Sequence, residues 1–373
     1  MPIPANRYTV NVGFPIGCIG VTHANKIVLG GGGGPSRSGV QNKLSIYSID
    51  DSTSTLNLNA ELVLSSDEDA PTCLAMHPKD KLFVCSINTS MAEIKQGKNQ
   101  NCRLFSYTKT KITMGKQAKC MGSTRDVDYQ KCIAMSASGK LVVGGATDGT
   151  LSVVRVPTLK PVFPFIDARD EINDVGFSND DKWLVAATDS ELRVLSTTDA
   201  ELVRRIDDPR ISGGERAVFR FARFGQTNTL YTVLNTRARN GAYIVIWDTN
   251  KWVRTATRRV SSSPITTFAL GPQGLLAFAT ASLHVVVCDA KSLRVLMRVP
   301  AAHSFAITAL SFDRDGKHLV SASADQTCQV YVLPDVWPTP LQTAVAVARD
   351  HAQVIAIAFV LVLAIILALV LRR

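Results

Sequence analysis

MSASGKLVVGGATDGTLSVVRV, residues 135–156, decides the fold. A polar turn opens it, an apolar run LVVGGA follows, Asp148-Gly149 turns the chain, and a second apolar run LSVVRV returns. Asp and Gly supply turn geometry, and short apolar runs bounded by turns read as strands. The pattern recurs in FSNDDKWLVAATDSELRVLST (177–197), LGPQGLLAFATASLHVVVCDA (270–290) and FDRDGKHLVSASADQTCQVYVL (312–333). Its second strands centre on Leu141, Leu184, Leu230, Leu276 and Leu319. The steps of about 43–46 residues are close to the ~40–45 of WD-type propeller blades. Earlier members centre on Val28 and Leu82, which makes seven units.

The predicted fold is therefore all-β: a seven-bladed WD-type β-propeller, each blade four antiparallel strands, a to d from the axis outward. The small apolar b strands suit close packing of neighbouring blades. One WD dipeptide survives, Trp247-Asp248, and the usual Gly-His is absent, so the strands carry the period. The last unit has no d strand before the proline-rich LPDVWPTP (333–340). The first strand-like run, Arg7–Val12, is expected to supply it and leave no open edge at the seam.

Composition agrees. At 373 residues, 46% hydrophobic and 19% charged, the chain can bury a large core and is not a disordered one. Net charge +10 permits an acidic partner but chooses none, and no nucleic-acid partner is expected. The eight cysteines are scattered without a CxxC pair, which argues against a zinc site and for reduced, buried thiols. The N-terminus lacks a signal-peptide pattern. Val354–Leu371 holds 18 residues without a polar side chain and reads as a membrane span. The expected organisation is a cytosolic propeller (1–335), a linker (336–353), a transmembrane helix (354–371) and a lumenal tail (372–373). At ~27 Å the span fits a thin bilayer such as the endoplasmic reticulum. The short linker would hold the propeller close to the membrane.

In a propeller the loop leading into strand a and the b–c loop share one face. The five glycines Gly30–Gly34 form the b–c loop of blade one; glycine loses most backbone entropy on ordering, so a loop is expected there. The acidic approach SSDEDAPT (65–72) leads into blade two on that face, and AAHSFA (301–306), with His303, leads into blade seven. The polar b–c insertion Asn88–Gln100 rims the same sector. Three unusual segments thus converge on blades seven, one and two.

A phosphate-binding reading of the glycines fails. It needs Lys-Ser/Thr and a helix, whereas Pro35-Ser36-Arg37 follows and the chain returns to a strand. Backbone carbonyls around a hard cation, or a plain flexible loop, remain open. Asn42 is either a turn residue or an exposed contact. His303 as a lone histidine reads as structural, and Asp67, Glu68 and Asp69 as a solvated acidic turn. No constellation supports bond chemistry, so a binding module is favoured over an enzyme.

The glycine loop with its Asn-Lys exit (Gly30–Leu44), NVGFP (11–15), Ala70-Pro71-Thr72, AHSFAIT (302–308) and the C-terminal span together resemble a known family. These are the endoplasmic-reticulum guanine-nucleotide exchange factors for the Sar GTPase of the COPII coat, the prolactin regulatory element-binding protein family. The resemblance implies exchange without bond chemistry. The glycine-rich K loop (30–42) would bind potassium through the carbonyls of Gly30, Gly31 and Gly32, and act on the GTPase nucleotide site. Gly31, Gly32, Gly33, Gly34, Asn42 and Lys43 would meet the GTPase. Pro71 and His303 match further positions tied to activity. The alternative is a membrane-tethered scaffold for coat or cargo proteins.

Overall fold

The computed structural model describes residues 6–36, 39–207, 209, 211, 214–338 and 342. Seven antiparallel sheets follow one another along the chain, six of four strands and one of five. Blade one is Ile16–Val21, Ile27–Gly31, Lys43–Asp50 and Thr55–Val63, and blade two is Cys73–Met76, Leu82–Ser86, Cys102–Tyr107 and Ile112–Ala118. In blade three the outer position is split between Lys160–Pro161 and Ile166–Asp167. Blade seven is Ile307–Phe312, His318–Ser323 and Thr327–Val332, completed by the N-terminal strand Asn6–Asn11. Asn6 pairs with Val332 and Asn11 with Thr327, so the seam closes as expected.

Strand alternation explains why the b strands read as continuous apolar runs. Successive side chains point to opposite faces, and each blade is covered on both. Ile27 and Leu29 enter a cluster shared with Val320, Ala322, Cys328 and Val330 of blade seven. Val28 points the other way, to Phe83, Cys85 and Phe105 of blade two. Seven such clusters lie between neighbouring blades and run round the ring. All eight cysteines are free and buried.

Near the axis, strand a carries a recurrent irregularity, at Ile16/Cys18, Gln130/Cys132, Phe219/Phe221, Ile265/Thr267 and Ile307/Ala309. Bulges re-aim side chains. Here Thr308 donates to the Ile16 carbonyl at 2.8 Å and Thr266 to the Ile307 carbonyl at 3.3 Å, stitching blades together.

Strand direction fixes the faces. The b–c loops, and the loops leading into strand a, lie at one end; the a–b and c–d turns lie at the other. Strand Thr327–Val332 runs away from the glycine-loop face. Leu333 N–H then donates to the carbonyl of Lys317, in the a–b turn of blade seven. The chain therefore leaves on the face opposite the glycine loop. No helix among the described residues is long and apolar enough to cross a membrane. The expected span, Val354–Leu371, lies outside the described residues.

Candidate functional site

The glycine loop is shorter than the glycine run. Gly30 and Gly31 are the last residues of strand b, paired to Cys18 and Ile16 on one side and to Leu44 and Lys43 on the other. The expectation that all five glycines form loop is corrected here, and the reason is packing. A Cβ on Gly30 would lie 2.8 Å from both Cys18 Sγ and Pro71 Cβ, and one on Gly31 would lie 2.1 Å from the Pro15 carbonyl oxygen. Absence of a side chain lets strand b sit between blade two and the N-terminal segment, and close packing offsets the entropy of ordering glycine.

The loop proper begins at Gly32. Its φ of +145 and the 2.3 Å that would separate a Cβ from Asn42 Oδ1 both require glycine. Gly32 N–H donates to the Pro15 carbonyl at 2.9 Å, and Gly33 N–H to the Val40 carbonyl at 3.3 Å. A short 3-10 turn follows at Gly34–Ser36.

Asn42 closes the loop from inside. Gly34 N–H donates to Asn42 Oδ1 at 2.9 Å, and Asn42 Nδ2 donates back to the Gly34 carbonyl at 3.1 Å. The same Nδ2 donates to the Glu68 carbonyl at 2.8 Å. One amide thus ties the tip of the blade-one loop to the acidic approach of blade two. Asn42 is 4% exposed, so its amide is not the exposed contact that one reading of the sequence allowed. Its side chain positions the loop.

The acidic run is not simply a solvated turn. Glu68 Oε1 lies 2.6 Å from Arg103 Nη1, and the Arg103 side chain is 1% exposed. Arg103 Nε also donates to the Gln100 carbonyl at 3.3 Å. A buried guanidinium without its carboxylate is costly, which fixes this approach loop in place. Asp69 N–H donates to the Asn88 carbonyl at 3.0 Å. The Asp69 carboxyl is half-buried; desolvation raises its pKa, opposed by a hydrogen bond from Ala70 N–H. Asp69 Oδ1 would stand 3.4 Å from a Cβ on Gly34, so this carboxylate borders the loop tip. Asp67 is exposed.

Sequence reasoning passed over Arg103, yet a signal exists: one arginine inside the apolar strand CRLFSY requires an acid partner. The insertion rim also holds a helical turn, Met91–Lys95, capped by Ser90, whose side chain accepts from Glu93 N–H. Ser90 and Glu93 form the S-x-x-E capping box that announces it.

Pro71 is buried against the seam between blades one and two, over Gly30 and Gly17. Lys43 is half-buried, paired with Glu61 Oε2 at 3.0 Å and 4.9 Å above the Phe14 ring. His303, which the resemblance matches to a position tied to activity, is not a surface contact, because its side chain is fully buried. Nε2 lies 2.6 Å from Ser321 Oγ; Nδ1 lies 2.9 Å from Thr327 Oγ1 and 3.2 Å from Asp325 Oδ2. Burial lowers its pKa, opposed by Asp325, whose own carboxyl is held at about 2; desolvation would raise the latter, and hydrogen bonds from Thr327 and Ser304 outweigh it. Ala302-His303 thus fills the structural place of the absent Gly-His. His303 reaches the glycine loop indirectly. Val12 N–H donates to the Gln326 carbonyl at 2.9 Å, and the segment from Val12 to Pro15 then supports Gly32.

The structure therefore brings together Gly32–Gly34, Asn42, Glu68, Asp69 and Pro71, with His303 behind them. A cavity of about 340 Å³ lies against the loop, lined by Gly34, Val40, Gln41, Asn42, Leu64 and Ser66 among others. Phe305 (64% exposed) and Met91 (50%) stand on loops of the same face, where an apolar side chain has no core to join. The proposed potassium donors Gly30 and Gly31 do not fit, because their peptide groups lie in a strand with partners on both sides. The carbonyls of Gly34 and Glu68 converge, but on the Asn42 amide nitrogen. Among the described residues no group of three His, Cys, Asp or Glu could hold a metal ion.

The WD40 family model (WD domain, G-beta repeat) matches residues 160–195 and 291–331. "SEC12-like protein 2" of Arabidopsis thaliana is 27% identical over 306 residues, 80% of this chain and 73% of its own. "Guanine nucleotide-exchange factor SEC12" of Candida glabrata is 26% identical over 334 residues, 87% of this chain and 71% of its own. The chain is similar to the SEC12 proteins over most of its length. The resemblance read from the sequence is borne out at that level. The solved structure of Chaetomium thermophilum Raptor matches with a TM-score of 0.67 at 13% identity. That match covers 89% of this chain and 29% of Raptor, and at such identity the likeness shows the fold alone.

Proposed function

We propose that this chain is a guanine nucleotide-exchange factor for a Sar-type small GTPase at the endoplasmic reticulum membrane, acting at the start of COPII coat assembly. Similarity to a SEC12 exchange factor across 87% of the chain carries the reading. The convergence of a braced glycine loop and an acidic approach on one face supports it. An exchange factor makes no bond. It binds the nucleotide-free GTPase better than the loaded one and shifts the population.

In this proposal the loop tip, Gly33–Gly34 with Pro35, meets the nucleotide region of the GTPase. Asn42 holds the tip in shape, and Glu68 with Arg103 holds the approach loop that Asn42 grips. Asp69 offers a half-buried carboxylate beside the tip. Pro71 sets the seam, and His303 keeps blade seven rigid behind the N-terminal segment. Lys43, paired with Glu61, fixes the first residue of strand c. A potassium ion enters the proposal only through carbonyls outside strand b. An exchange rate unchanged when potassium is replaced by a large organic cation removes it.

The test is release of labelled GDP from a purified Sar-type GTPase by the full chain in detergent. Acceleration supports the reading. Binding that is indifferent to nucleotide state, without faster release, would leave the membrane-tethered scaffold instead.

A further inference from the structure

The face opposite the glycine loop is uneven in charge. Under blade two, the a–b turn 77–81 carries Lys79 and Lys81, and the c–d turn 108–111 carries Lys109 and Lys111. Tyr107 N–H donates to the Lys81 carbonyl at 3.0 Å, so the two turns lie side by side. Under blade three, Lys140 ends the a–b turn and Lys160 follows the c–d turn. Val156 N–H joins the two turns through the Lys140 carbonyl at 2.9 Å. The blades touch here as well: a Cβ on Gly139 would lie 2.1 Å from the His77 ring.

All six lysines are exposed, and among the described residues no carboxylate within 4.0 Å pairs with any of them. The acids nearby are engaged. Asp80 lies 3.5 Å from His77 Nε2. Asp181 accepts the N–H groups of Ala137 and Ser138 at 2.7 and 3.0 Å. Asp180 lies 3.5 Å from Lys182.

The chain leaves the ring on this same face. Arg294, in the c–d turn of blade six, donates to the Pro338 carbonyl at 3.3 Å, and Trp337 packs against the cluster between blades six and seven. The exit and the lysine patch thus stand about half a ring apart on one face.

We propose that the lysine patch under blades two and three docks on the anionic headgroups of the bilayer that holds the C-terminal segment. The proposal rests on Val354–Leu371 as a membrane span. A tether at one side of the ring does not by itself fix which way the propeller faces. A second, electrostatic attachment across the ring lays this face on the membrane and directs the glycine loop away from it. Juxtamembrane lysines are drawn to acidic lipid within about a Debye length, so a face held there by a tether needs no high intrinsic affinity. The orientation sets which way a GTPase must approach.

The test reconstitutes the full chain into vesicles of phosphatidylcholine alone and of phosphatidylcholine with phosphatidylserine. Lysine acetylation is then read residue by residue by mass spectrometry. Labelling at the six lysines is expected to fall about tenfold with phosphatidylserine, to recover in high salt, and to stay constant at Lys95 and Lys98 on the other face. Changing Lys79, Lys81, Lys109 and Lys111 to Glu should abolish protection at Lys140 and Lys160. Equal labelling in both vesicles, or protection of Lys95 and Lys98 instead, overturns the proposal. So does RNA binding at these lysines with no lipid dependence. Flotation with neutral vesicles tests the span separately. If the chain floats only with anionic vesicles, and the four-lysine variant does not, the span reading fails while the patch stands.

Discussion

Replacing Asn42 by Ala removes three hydrogen bonds and little else. The Gly34 peptide loses its partner in both directions, and the Glu68 carbonyl loses its donor. The strand register survives, because Leu64 N–H bonds to the Asn42 backbone carbonyl. At about 0.5–1.5 kcal/mol net per bond the three are worth about 1.5–4.5 kcal/mol. The lower part of that range applies, since the freed loop atoms can reach water. A loss of about 2–3 kcal/mol is local, so the ordered loop becomes a minority state while the blades remain folded. If exchange needs the ordered loop, its rate falls by about 30–140-fold, at about 1.4 kcal/mol per tenfold. Labelled GDP release from the GTPase measures this, and amide hydrogen exchange over residues 32–36 reports the loop directly. Asn42→Asp sharpens the test. It keeps an acceptor for Gly34 N–H but turns a carboxylate oxygen toward two carbonyls, so it should be slower than Asn42→Ala. Unchanged release and protection in Asn42→Ala, or a faster Asn42→Asp, would refute the reasoning.

Gly32→Ala should reduce exchange at least as much as Asn42→Ala, because its Cβ would collide with Asn42 and the Gln41 carbonyl; GDP release and the melting temperature, the latter nearly unchanged, check it. Glu68→Ala leaves Arg103 buried and unpaired and should cost about 3–5 kcal/mol in urea unfolding, with much of it recovered on adding Arg103→Met. Buried His303 and half-buried His318 should give opposite pH dependences in the urea midpoint. Burial holds His303 below the ordinary value of about 6.5, so the unfolded chain takes up its proton first and stability falls as pH drops below 6.5; His303→Gln should flatten that limb. His318 is raised by its bond to Asp313, against burial and with help from Asp51. Its contribution is full below 6.5 and is lost as pH rises through its folded value, and His318→Gln should remove that loss.

The architecture was legible because each b strand is buried on both faces. LVVGGA and LAFAT must be continuously small and apolar to fit between two blades, and that requirement repeats with the blade. The seam was legible from a missing partner: three strands at one end of the chain and one at the other. The convergence of the glycine loop, the acidic approach and His303 followed from strand direction alone. The inward aim of side chains was not legible. A linear reading leaves Asn42 open between turn and contact and gives His303 no partners, yet each is buried by hydrogen bonds to other segments. Gly30 and Gly31 read as loop because their compensation lies in Pro71, Cys18 and Pro15, all outside the local stretch. Glu68 has acidic neighbours on both sides, and only Arg103 in the next blade distinguishes it.

The closing strand has a further consequence for how the protein is made. Asn6–Asn11 leaves the ribosome before its partner Thr327–Val332, which follows about 300 residues later. At ~5–20 residues per second the first strand waits about 15–60 s for a place to pair. The segment that supports Gly32 through Pro15 hangs from the same strand. The glycine loop is thus encoded early and completed last, and a nascent chain presents a finished loop only once its ring is whole.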